Sequence, residues 1–182
     1  MRVIPEDLRY PIGRFSAPAV VTPAQVETWI GEIERLPATL RSVVQPLTAE
    51  QLDTPYRPGG WRVRQVVHHL ADSHLNSFIR FKWALTEDRP AIKAYFEDRW
   101  ADLPDYTTVP PATSLRLLEA LHERWVGLLR GLSATDLERE FLHPESGPTR
   151  LDVNIGIYAW HGRHHLAHIT RLLEREGWAP NP

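Results

Sequence analysis

At 182 residues, with 21 basic and 23 acidic side chains and a net charge of -2, the chain has the size of one domain and no excess of positive charge for a nucleic-acid surface. Cysteine is absent, which excludes a disulfide framework, a thiolate metal ligand and a cysteine nucleophile. The N-terminus lacks the apolar core of a signal peptide and no stretch approaches ~18 uninterrupted apolar residues, so a cytoplasmic protein without a membrane partner is expected.

Residues 1–21 carry Pro5, Pro11 and Pro18 and little periodicity, and read as an extended arm along the surface of a single domain spanning 1–182. Thr22-Pro23 then gives an N-cap followed by proline at the first helical position. Trp29, Ile30, Ile33, Leu36, Leu40, Val43, Val44 and Leu47 recur at helical spacing, placing a first long helix over about 23–46. Pro37 lies inside it and removes one backbone donor, which predicts a kink near Glu34. Thr48-Ala-Glu-Gln reads as a short capped turn, and Tyr56-Arg-Pro-Gly-Gly as a loop.

A second long helix opens at Trp61 or Arg62 and ends at Glu87-Asp-Arg-Pro. His69, Asp72, Ser73 and Asn76 follow i, i+3, i+4, i+7 spacing along it, a polar stripe that is either solvated or lines a cleft. His74 lies near the centre of the apolar stripe, so periodicity alone leaves open which histidine faces inward. Residues 88–112 form a long connection whose aromatics, Tyr95, Phe96, Trp100 and Tyr106, are expected to anchor it to the helices. Pro110-Pro111 opens a third helix, with Leu115, Leu118, Leu121, Trp125, Leu128 and Leu129 in its stripe, that stops near Gly131. Ser133-Ala-Thr-Asp136 resembles a capping box, and His143-Pro-Glu-Ser-Gly-Pro a turn. Thr149 or Asp152 caps a last helix running to Gly177. Four amphipathic helices and no alternating strand pattern indicate an all-α bundle.

The last helix holds four of the nine histidines within eight residues. His161 and His165 stand one turn apart and can face one atom, the H-x-x-x-H arrangement of a metal site. A firmly held cation with an open position needs a third ligand, either His168 or a residue of another helix.

Two segments carry a family resemblance: the run from Asp53 to Ser77, with Pro-Gly-Gly-Trp and His68-His69-Leu-Ala-Asp72-Ser-His74 within it, and Trp160-His-Gly-Arg-His-His-Leu-Ala-His168-Ile. They closely resemble the DinB/YfiT-like superfamily, specifically its YfiT-type bacillithiol transferases, and the likeness extends from Leu8-Arg-Tyr-Pro to Gly177-Trp178. It implies a four-helix bundle of up-down-down-up topology with its crossover at 88–112. It also implies one divalent metal ion per chain, zinc or nickel, held by His69, His161 and His165. His68, His74, His164 and His168 are then supporting or packing residues, Asp72 is a candidate catalytic or ligand-orienting carboxylate, and Asn76 and Arg64 are candidates for positioning substrate. A homodimer is also expected, formed through a helix face such as that of Trp83 or Trp125.

Three imidazoles leave the cation its full charge and an open position, where a thiol would lose its proton. The function expected is therefore metal-dependent transfer of a low-molecular-weight thiol, bacillithiol, to a small electrophile. The alternatives are a metal-dependent hydrolase using water of lowered pKa, and a non-enzymatic metal-binding stress protein.

Overall fold

A computed structural model describes residues 6–178. The elements are α1 (Glu6–Arg9), α2 (Pro23–Val44), α3 (Ala49–Leu52), α4 (Val63–Thr86), α5 (Glu97–Ala101), α6 (Asp105–Thr108), α7 (Pro111–Arg130), α8 (Ala134–Leu137), β1 (Glu140–His143), β2 (Gly147–Arg150) and α9 (Leu151–Glu176). The four long helices start and stop largely where local chemistry directs. Thr22 accepts from the Gln25 amide at 3.3 Å with Pro23 at the first helical position, and Gly177 closes α9 at φ 68.

Side-chain pairs between the helices give the topology. His68–Ser114 and His74–His122 advance together along α4 and α7, so those helices run parallel. Ser73–Tyr158 and Ser77–Asn154 run in opposite senses along α4 and α9. Arg130–Glu34 and Arg41–Glu119 likewise make α2 and α7 antiparallel, whereas Gly156 meets Trp29 and Gly162 meets Leu36, a parallel α2–α9 pair. The order is up-down-down-up. Two parallel helices in sequence, α4 then α7, require a connection the length of the bundle, and residues 87–110 supply it with α5 and α6 inside it.

The buried apolar residues form two clusters, one including Ile33, Phe81 and Trp125 and the other Leu40, Leu70 and Leu118. His74 on α4 and the buried histidines of α9 lie between the stretches that supply the two clusters, while His68 and His69 are flanked by members of the second and His122 by members of the first. Burying that many ring nitrogens is tolerable only if they are bonded to one another or to a ligand.

Several sequence expectations need correction. Residues 140–150 form a two-stranded antiparallel hairpin, pairing Glu140 with Arg150 and His143 with Gly147. Four-residue strands, one containing Pro148, are too short to show alternation, and this pair is held by Phe141, 1% exposed, and by a bridge from Ala91 to Leu142. Arg150, not Thr149 or Asp152, occupies the N-cap of α9 and makes no side-chain cap bond, while Asp152 accepts from the Arg150 guanidinium at 2.7 Å. The arm contains a helical turn, α1. Trp125 is fully buried and offers no dimer face, while Trp83 is 40% exposed. Tyr106 anchors the crossover as expected, but Tyr95 and Phe96 line a pocket. No helix among the described residues is long and apolar enough to cross a membrane.

Candidate metal centre

Because α4 and α9 run antiparallel in contact, a histidine on α4 can meet two that stand one turn apart on α9. His69, His161 and His165 each present a ring nitrogen, and the three nitrogens lie within 4.8 Å of one another. His69 Nε2 and His161 Nε2 are 3.1 Å apart, and the rings of His161 and His165 have centroids 4.5 Å apart. Trp61 closes one side, with its ring 4.6 Å from His69 and stacked 6.2 Å from His165. Three imidazoles brought this close suit a cation at their centre, with further coordination positions left for solvent or substrate.

Backbone carbonyls dictate which ring nitrogens carry protons. The Ile33 carbonyl can only accept, so His122 Nδ1, 2.7 Å away, donates to it. Neutral His122 then accepts at Nε2 from His74 Nδ1 (2.9 Å), and His74 Nε2 accepts from His161 Nδ1 (3.2 Å). This leaves the lone pair of His161 on Nε2, the nitrogen facing His69. A second chain starts at the Arg9 carbonyl, which accepts from His168 Nε2 at 3.1 Å; His168 Nδ1 then accepts from His165 Nδ1 at 3.3 Å, freeing His165 Nε2. Ligating imidazoles characteristically donate their other nitrogen in this way, which fixes ring orientation and raises basicity. His69 differs: its Nδ1 is buried without a partner.

Neutral rings are a precondition for binding metal. Burial, reinforced by the neighbouring rings, lowers His69 to about 3 and holds His161 and His165 well below the usual histidine range. Burial also lowers His122, His164 and His168 to about 4. A second group, His164, His165 and His168, could also gather around an ion, but His168 has both ring nitrogens engaged, by Arg9 and His165.

The remaining candidates lie off this centre. Asp72 accepts from the Tyr106 hydroxyl at 2.6 Å and makes no hydrogen bond to the three histidines; burial raises its pKa. Asn76 donates to the Asp72 carbonyl. Arg64 makes a two-pronged ion pair with Asp53, holding the loop before α4. His68 is tied to Ser114 and the Val109 carbonyl. Sequence reasoning missed His122, whose signal was a lone histidine in the α7 apolar stripe together with a proline that orphans a carbonyl on α2.

The triad opens into a pocket of about 740 Å³ whose wall includes Tyr95 from the crossover and Arg80 from α4. The N-terminal arm closes part of the outer side: the Trp160 indole donates to the Gly13 carbonyl at 3.1 Å, and Tyr10 packs on His164.

An up-down-down-up bundle whose buried histidines converge beside an open pocket defines a class of helical proteins built around a metal site. Within that class the chain belongs to the DinB superfamily, whose family model matches residues 32–169. A Bacillus cereus protein named "Putative metal-dependent hydrolase" is 58% identical over 94% of this chain and 99% of its own length. A Bacillus anthracis protein of the same name is 57% identical over the same shares. Among solved structures, YfiT from Bacillus subtilis matches with a TM-score of 0.93 and 49% identity over 95% of this chain and 99% of its own, and is described as a probable metal-dependent hydrolase with an unusual four-helix bundle topology.

Proposed function

We propose that this protein is a metal-dependent enzyme in which His69, His161 and His165 hold one divalent cation, zinc or nickel, that activates a small nucleophile against a substrate in the adjoining pocket. The observation that carries the reading is the convergence of three neutral ring nitrogens, two of them oriented by hydrogen-bonded chains that end on backbone carbonyls. A bound cation supplies Lewis acidity and lowers the pKa of a coordinated water or thiol. The chain's own part is to keep three imidazoles neutral, aim their lone pairs and shield one side with Trp61.

The names of the relatives favour water as nucleophile and hydrolysis as the reaction. Transfer of a low-molecular-weight thiol, bacillithiol, to an electrophile is the second reading, and one feature favours it. The pocket's carboxylates, Glu97, Asp98 and Glu145, are exposed, and Asp72 is engaged by Tyr106, so among the described residues no carboxylate is bonded to the triad to serve as general base. A thiol needs less help than water to lose its proton.

The test is a pair of assays on metal-reconstituted and metal-free protein. One offers bacillithiol, glutathione or cysteine with monochlorobimane as acceptor; the other offers a panel of esters and amides without thiol. Metal-dependent turnover without thiol establishes the hydrolase, and metal-dependent conjugation selective for one thiol establishes the transferase. Equal behaviour of the two protein forms in both assays removes the enzymatic reading.

A further inference from the structure

The arginines of this protein that approach other elements are generally paired. Arg41 meets Glu119, Arg64 meets Asp53, Arg130 meets Glu34, Arg150 meets Asp152 and Arg163 meets Glu32. Arg80 is the exception. It is only 8% exposed, deeper than any of these, yet it has no hydrogen bond and no ion pair among the described residues. Its nitrogens are not among the solvent-buried atoms left without a partner, so the stem is packed while the charged end meets solvent in a pocket, the arrangement of a charge held ready for a ligand.

Arg80 lies on the wall of the same pocket as His69 and Ser73. At about 100° per residue these three share one face of α4, and the rise along a helix puts the Cα of Arg80 about 16 Å from that of His69. The side chain leans back towards the helix N-terminus, so its charged end is nearer to the triad than that. From the hairpin, His143 reaches the same pocket. Its Nδ1 accepts from the amides of Glu145 and Ser146, at 3.2 and 3.4 Å, so the neutral ring carries its proton on Nε2 as a second donor. The Arg80 charge is near enough to act, after burial, to lower His143.

We propose that Arg80, assisted by His143, forms an anion-binding end of the pocket, so that the substrate carries a carboxylate or phosphate at a distance from the group that reacts at the histidine triad. This rests on the reading of the pocket as the substrate site. Planar, two-pronged recognition of an oxyanion is what a guanidinium does best. Placing it away from the reacting atoms lets binding energy orient the substrate. Arg9, Arg57 and Arg99 also line the pocket and would draw an anion in, but Arg57 is engaged by Tyr56 and Pro58 and Arg99 lies over Phe96.

The test is an NMR titration of metal-free protein with inorganic phosphate and, separately, with succinate, following the side-chain Nε–H of Arg80 and the ring of His143. A saturable shift of both resonances is expected, and the tighter of the two probes identifies the oxyanion. Arg80→Gln should weaken binding at least tenfold, Arg80→Lys should retain part of it, and Arg116→Gln, an exposed position outside the pocket, should leave it unchanged. Melting curves confirm that each variant is folded, and the wild-type Arg80 resonance needs no variant. No saturable shift with either anion, or equal binding by folded Arg80→Gln, overturns the proposal. Because turnover is not read, a failed metal-centred function leaves this result standing, and a silent titration removes the anion site alone.

Discussion

His122 Nδ1 stands 2.7 Å from the Ile33 carbonyl oxygen, the acceptor that Pro37 leaves without its helical donor. In an uninterrupted helix the amide of residue 37 would bond to that carbonyl. Here a ring from α7 takes its place, and the bond joins two antiparallel helices. His122→Phe removes the donor and also leaves the His74 Nδ1 proton without an acceptor, both in a buried setting. The expected loss is about 2–4 kcal/mol by urea unfolding. Pro37→Ala in the same protein restores an amide for Ile33, so the double variant should recover part of that loss. Strict additivity in the cycle would show that the two residues do not share the carbonyl.

Replacing His74 tests the chain from its other end. His74→Phe leaves the His161 Nδ1 proton without an acceptor while the three candidate ligands stay in place. Zinc or nickel affinity, measured by competition with a chromophoric chelator, should fall about 10–100-fold. His161→Ala should remove the site. Wild-type affinity in His74→Phe would show that the chain does not orient the ligand, and wild-type affinity in His161→Ala would overturn the ligand set.

The contrast between these residues shows how far the sequence could be read. His161 and His165 share a helix, so their common face followed from helical spacing. The third member, His69, came from the family resemblance, and the structure brings it to the other two across the α4–α9 interface. His74 lay in the apolar stripe, where a period of 3.6 says only that it is buried; its bond to His122 depends on α4 and α7 being parallel and in register, a tertiary fact. The long helices were legible because each carries a stripe over five or more turns. The hairpin at 140–150 was not, since Pro148 and Gly147 mask a pairing enforced by Phe141 packing and by the bridge to Ala91.

Acid should unfold the metal-free protein early. Burial lowers His122 from 6.5 to about 4, so as pH falls across that interval the unfolded chain takes up a proton that the folded ring refuses. The unfolded state then binds more protons, and stability falls with falling pH by on the order of 1 kcal/mol per unit for each such ring. His69, His164 and His168 are shifted in the same direction and add to the slope. Urea unfolding at a series of pH values between about 7 and about 5 should show a steep decline. The decline should be shallower by about one proton in His122→Phe, or in its Pro37→Ala double variant. An unchanged slope would mean that His122 is not a neutral buried ring in the folded state.

Close approach of α2 and α9 depends on glycine, and the dependence has a sign that can be checked. A Cβ at Gly156 would fall 2.8–2.9 Å from three atoms of the Trp29 ring, which is rigid and 7% exposed. Gly156→Ala should therefore destabilise the fold by about 1–3 kcal/mol despite alanine's better helix propensity. Gly127, inside α7, has nothing within 4 Å of a Cβ, so Gly127→Ala should stabilise by up to about 1 kcal/mol. Combining Gly156→Ala with Trp29→Leu should cost less than the sum of the two, because the shortened side chain vacates the space the methyl needs. Denaturant unfolding of the four variants decides it. A neutral Gly156→Ala would show that Trp29 moves freely, and the close packing of the parallel α2–α9 pair would then need another cause.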